Sequence, residues 1–153
     1  AGDCLLAEHR SYYDNLKKQA EEYRLGNLVK FTGPVLHSEM PMLYKSSDVF
    51  INLSDTDSLD KAVLEAMSCG LPVLTSNKSF REVFSSDLKS FFVEKNNPDE
   101  LVAKIEMLAG KTAEQQTALG VQLRAIVVNN HNLKNCIEKI YKEINGIVVQ
   151  GNV

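Results

Sequence analysis

The stretch DSLDKAVLEAMSCGLPV, residues 57–73, sets two carboxylates, Asp57 and Glu65, in a short apolar run that stops at Gly-Leu-Pro. An ionised carboxylate accepts hydrogen bonds and donates none, so Glu65 on a helix flank is suited to hold paired hydroxyls such as those of a ribose. The first turn of a helix offers unsatisfied N–H groups and the positive end of its dipole, so the backbone from Ser58 to Lys61 is suited to receive a phosphate. The same residues also have a purely structural reading. In it Asp57 is the N-cap, Asp60 a partial capping-box partner, and Glu65 a surface acid paired with Lys61 at i,i+4. At about 1.5 Å rise per residue Glu65 would lie roughly 12 Å along the axis from Asp57. Lys61 and Glu65 would then share one face, with Leu59, Val63, Ala66 and Met67 on the other.

Other constellations are weaker. Asp55-Thr56-Asp57 after an apolar run has the form of an Asp-x-Asp metal motif on a diphosphate, but such a tripeptide is common by chance. His9, His37 and His131 fall into no metal-ligand spacing with one another or with the cysteines, and no metal is expected. Cys4, Cys69 and Cys136 are odd in number and far apart, which suits buried thiols in a reducing compartment better than a disulfide framework.

These residues need elements to position them. Apolar residues recur at helical spacing from Leu5 to Leu25, and Gly26-Asn27 is expected to end that helix. Leu28 to Thr32 alternates as a half-buried strand does and meets Gly33-Pro34, a turn signal. A short helix is expected over 38–47, a buried parallel strand over 48–53, then the helix described above. Further strands are expected over 72–76 and 91–94, and helices over 80–84, 97–109, 113–128 and 133–147. Gly70 and Pro72 have the order that ends a helix, and Asn97-Pro98-Asp99-Glu100 the order that starts one. Strands alternating with helices imply an α/β fold with a parallel sheet, whose ligands sit beyond the carboxyl ends of the strands. The loops of interest are therefore Gly2-Asp3, Gly33 to Leu36, Ser54 to Asp60 and Ser76 to Phe80.

The chain has 153 residues, 44% of them hydrophobic, enough for one domain with a core over 1–153. Its 17 basic and 20 acidic residues give a net charge of -3 without a basic run, which argues against nucleic acid as a partner. No apolar run approaches the ~20 residues that span a bilayer. Lys17 and Lys18 lie near Tyr12 and Tyr13, but Glu21 and Glu22 dilute any membrane-binding face. The opening Ala1-Gly2-Asp3 reads as part of something longer.

The string Ser54-x-x-Asp57-Ser58-Leu59-x-Lys61-x-x-Leu64-Glu65-Ala66-Met67-x-Cys69-Gly70-Leu71-Pro72-Val73 resembles the signature of retaining GT-B glycosyltransferases. That large family includes sucrose synthase and the phosphatidylinositol mannosyltransferases. Asn27 to Val35, Met42 to Ile51, Arg81-Glu82-Val83, Asn97 to Ala109 and His131 to Ile144 resemble further family segments. The resemblance implies the Rossmann-like, donor-binding C-terminal half of such an enzyme, a parallel sheet flanked by helices. It would lack that domain's first strand-helix unit, with its arginine and lysine, and the N-terminal acceptor domain.

By this resemblance Glu65 would bind the donor's ribose and Asp57 would contact the transferred sugar. Amides around Ser58, Leu59, Asp60 and Lys61 would meet the diphosphate, and Pro34 and Val35 the base. Three departures bear on this: Asp57 stands where the family usually has glutamate, Asp60 where it has glycine or proline, and, as a lesser change, Gly2-Asp3-Cys4 where it has Gly-Asp-Gly. Asp60 thus brings a negative charge toward the expected diphosphate, which Lys61 partly offsets. The implied activity is hexosyl transfer from a nucleoside diphosphate sugar with retention, without cofactor or metal, by the longer protein and not by this piece alone. The implied location is the cytoplasm, or its membrane face if the absent domain associates peripherally with a bilayer. The alternatives are a non-catalytic nucleotide-binding or interaction module of the same fold and a nucleotide-sugar epimerase.

Overall fold

A computed structural model describes residues 9–84 and 86–150, without the side chains of Ser86 and of 146–150. The Gly2-Asp3 loop, Cys4 and the first turns of the expected N-terminal helix lie outside the described residues. The chain forms two compact units, Ala1–Met40 and Pro41–Val153.

In the first unit, helix α1 (Arg10–Glu22) ends earlier than Gly26-Asn27 suggests. Arg24 takes the left-handed turn at φ +57°, and Leu25 N–H reaches back to the Ala20 carbonyl at 2.7 Å. A non-glycine residue there costs about 1–2 kcal/mol, offset by satisfying the helix's last carbonyls. The expected strand over Leu28–Thr32 does not form. The Leu28 and Val29 amides both bond to the Leu25 carbonyl at 2.8 Å, so a turn takes the donors that a ladder would need. Phe31 packs edge-on to Tyr13 at 5.6 Å between ring centroids, with the Lys17 ammonium 4.5 Å from the Tyr13 ring centre.

The second unit carries the sheet. Short helix α2 (Met40–Lys45) leads to β1 (Phe50–Asn52), α3 (Lys61–Ser68) and β2 (Val73–Thr75). β1 and β2 are parallel, with Phe50 opposite Val73, Ile51 opposite Leu74 and Asn52 opposite Thr75. The strand expected over 91–94 contracts to a parallel bridge between Thr75 and Phe92. A 3-10 helix, Ser86–Phe91, runs up to it, and Asn96 at φ +58° turns the chain away just beyond. The helix expected over 80–84 is likewise a 3-10 turn, Lys78–Arg81. Helices α4 (Pro98–Ala109), α5 (Ala113–Asn130) and α6 (Leu133–Gln150) complete the unit.

β1 is less buried than its apolar sequence implies, with Ile51 39% exposed, because it lies at the edge of the described sheet. The core forms around β2: Val63, Ala66, Met67, Val73, Leu74, Phe80 and Leu123 are fully buried. Each large apolar side chain buried this way contributes roughly 1.5–3 kcal/mol. Cys69 is half-buried and Cys136 exposed, so neither is the buried thiol expected.

The end of α3 is the tightest point. Gly70 sits at φ +76°, its N–H bonds the Met67 carbonyl at 2.9 Å, and Leu71 N–H bonds that of Ala66 at 3.0 Å. This double bond pattern caps the helix and turns the chain straight into β2. Gly120 of α5 lies against it, so that a Cβ on Gly120 would fall 2.4 Å from the Gly70 carbonyl oxygen. Arg124 of α5 also donates to the Ser68 carbonyl, placing a cation at the helix's negative end. In an open helix, glycine to alanine stabilises by roughly 0.5–1 kcal/mol. Here the clash reverses the sign: Gly120→Ala should cost about 1–3 kcal/mol, read as a lower urea midpoint at unchanged slope.

Candidate functional site

The expected site residues fall on both units. Gly33, at φ +67°, turns the first unit's chain into exposed Pro34 and half-buried Val35. Asp57, Ser58, Leu59, Asp60, Lys61 and Glu65 all belong to the second unit, on the crossover from β1 to β2.

Helix α3 begins at Lys61, not near Asp57. Asp60 occupies the N-cap position with extended φ and ψ, and its side chain makes no cap bond. Asp57 is therefore not the cap; it is exposed on the loop and has no hydrogen bond or ion pair among the described residues. The first-turn amides of Lys61 and Ala62 are left without a side-chain cap, because the first intrahelical bonds are those of the Val63 and Leu64 amides to the Asp60 carbonyl.

The Asp60 carboxylate turns into the loop. Ser54 Oγ and Asn77 Nδ2 donate to its Oδ2, the latter at 2.9 Å, and Thr56 Oγ1 lies 3.2 Å from its Oδ1. Burial pushes the Asp60 pKa up, but bonds from Ser54, Asn77 and Thr56 outweigh it and hold the group below the usual aspartate range. Asn77 is fully buried and also donates to the Ser58 carbonyl at 2.8 Å and to Thr56 Oγ1 at 3.1 Å. Ser76 Oγ donates to the Ser54 carbonyl at 3.0 Å. The loop is thus laced to the carboxyl end of β2.

Glu65 is half-buried and does not pair with Lys61. The Tyr44 hydroxyl donates to its Oε2 at 3.3 Å, which leaves Oε1 without a bond among the described residues. Tyr44 is itself buried, edge-on to Phe50 at 5.6 Å. Burial first, then the Glu65 charge and hydrogen bond, push its pKa up to about 12. Asp55 pairs with Lys95, whereas Asp57 has no partner among the described residues, so the two aspartates of the Asp-x-Asp motif have different surroundings. Among the described residues no cluster of three or more His, Cys, Asp or Glu could hold a metal, and no helix is long and apolar enough to cross a membrane.

Sequence reasoning missed Tyr44 and Asn77. The available signal was Thr75-Ser76-Asn77, three polar residues that close an apolar strand with no turn glycine among them. Such residues are buried only when they have partners.

Comparison with known proteins gives the family and the fold. The model of a family described as glycosyl transferases group 1 matches residues 3–142. The alpha-monoglucosyldiacylglycerol synthase of Streptococcus pneumoniae is 32% identical over 83 residues, 54% of this chain and 19% of that protein. The sulfoquinovosyl transferase SQD2 of Arabidopsis thaliana is 29% identical over 114 residues, 66% of this chain and 22% of that protein. The matched stretches thus span about a fifth of these relatives' lengths. The crystal structure of Anabaena HepE in complex with UDP-glucose superposes with a TM-score of 0.81 at 23% identity, over 95% of this chain and 39% of that one. At that identity the likeness is one of fold.

The Asp60 network carries a pH signature. A carboxylate with a depressed folded pKa stabilises above its unfolded value, near 3.8, and that stability is lost as pH falls through the folded value. Asp60→Asn should therefore flatten the decline of melting temperature as pH drops below about 4, and should lower the melting temperature at pH 7. An unchanged acid slope would show that the carboxylate is not held by this network.

Proposed function

The chain belongs to the glycosyl transferases group 1, and on that premise we propose that its second unit binds the nucleoside diphosphate of an activated sugar. The observation that carries the reading is the state of Glu65 and the helix it stands on. Glu65 is half-buried and holds one oxygen free of partners among the described residues, while the first turn of the same helix has no side-chain cap. A free carboxylate oxygen suits paired ribose hydroxyls, and uncapped amides at a helix N-terminus suit a diphosphate. That HepE was solved with UDP-glucose makes UDP the first nucleotide to test.

In this reading Glu65 holds the ribose, the amides of Leu59 and Lys61 face the diphosphate, and the Lys61 ammonium adds a positive charge beside them. Asp60 adds less repulsion than its position in the sequence suggests, because three donors hold its carboxylate in the loop network. Asp57, exposed on the loop ahead of the helix, is the residue assigned to the transferred sugar.

The reaction proposed for the longer protein is hexosyl transfer from a nucleoside diphosphate sugar with retention. Preorganised amides stabilising the charge that develops on the departing diphosphate would supply much of the rate. No metal enters this scheme.

Isothermal titration of the chain with UDP, GDP and ADP tests the assignment. One nucleotide should bind saturably, and Glu65→Ala should weaken it by about tenfold or more, the worth of a hydrogen bond to a charged group. Binding of none of the three, or binding indifferent to Glu65→Ala, would overturn the assignment.

A further inference from the structure

The role of Asn77 goes beyond that reading, although it rests on it. The side-chain amide has one orientation. Ser79 N–H donates to Oδ1 at 2.9 Å, so Nδ2 faces the loop as a donor. Three acceptors meet it there, the Ser58 carbonyl at 2.8 Å, Asp60 Oδ2 at 2.9 Å and Thr56 Oγ1 at 3.1 Å. Two hydrogens serve three acceptors, and the two shortest contacts are those to Ser58 and Asp60.

The bond to Ser58 has a consequence one atom further along the chain. The described residues contain no cis peptide, and in a trans peptide the N–H points opposite to the preceding carbonyl. With the Ser58 carbonyl drawn toward buried Asn77, the Leu59 N–H is turned away from the buried network. It stands two residues ahead of Lys61, where the uncapped first turn of α3 begins.

We propose that Asn77 is a positioning residue for the diphosphate site, setting the Ser58–Leu59 peptide so that its N–H joins the first-turn amides as a donor. Asn77 touches no ligand in this role. It acts through the peptide plane, and the Asp60 carboxylate anchors the same amide from the other side. Both bonds brace the loop, so the two roles separate only in affinity measured where stability has been restored without the donor to Ser58.

That difference gives the test. Asn77→Asp removes both donors and sets a second carboxylate beside Asp60. Adding Asp60→Asn returns one donor and one acceptor to the 60–77 contact, yet a carboxylate at 77 still cannot donate to the Ser58 carbonyl. Melting temperature should fall in the single variant and recover in the double. UDP affinity, measured by the same titration, should fall by about tenfold or more and stay low in the double variant. The Leu59 amide resonance of the folded double variant should be displaced before any nucleotide is added. If affinity recovers together with stability, or survives Asn77→Asp, Asn77 is a brace only and the proposal is overturned. Absence of binding by the unaltered chain would overturn the donor assignment first, and this one with it. If the single variant does not fold, the double variant decides between the same outcomes.

Discussion

Two parallel strands cannot be joined by a tight turn, and this constraint organises the second unit. β1 and β2 run side by side in the same direction, so the chain between Asn52 and Val73 must leave the carboxyl end of one strand and return to the amino end of the other. It does so through an eight-residue loop and the eight-residue helix α3. The return is as constrained as the departure. Gly70 reverses the chain at positive φ, Leu71 and Pro72 feed it into β2, and Gly120 lets α5 approach the turn at backbone distance.

The outgoing loop is the polar counterpart of that turn. Its residues leave an apolar strand and must find hydrogen bonds before the helix begins. Ser76 and Asn77 supply them from the end of β2, so buried polar groups that close one strand satisfy the loop that follows its neighbour. Asp60 is drawn into this network and stays charged there because three donors compensate its partial burial. The Asp60 carboxylate therefore becomes an anchor for the loop. The same geometry leaves the first amides of α3 open, since the residue best placed to cap them is engaged elsewhere.

Glu65 shows how a motif residue acquires its state from outside the motif. Its position on α3 follows from helical spacing, but its partner, Tyr44, comes from a helix 21 residues earlier in the chain. Lys61 does not pair with Glu65, and the Lys61 charge stands beside the helix N-terminus. Packing of Tyr44 on Phe50 fixes where its hydroxyl sits, whereas an i,i+4 pair on an exposed face contributes only about 0.2–0.5 kcal/mol.

By itself the sequence determined the α/β class, the parallel sheet, the apolar face of α3 through Val63, Ala66 and Met67, the Gly70 stop, the Asn97 start of α4 and the family motif around Glu65. These follow from periodicity and from turn residues with one physical use, and both are local. Only the tertiary structure decided that α3 begins at Lys61, that Asp60 is an anchor, that Tyr44 is the partner of Glu65, and that Asn77 holds the loop. It also decided against a strand at Leu28–Thr32 and reduced the one at 91–94 to a bridge. A strand exists only where a neighbour completes its ladder, and a polar side chain takes its role from whichever buried donor or acceptor the fold brings within reach. Neither condition is written in the residues nearby.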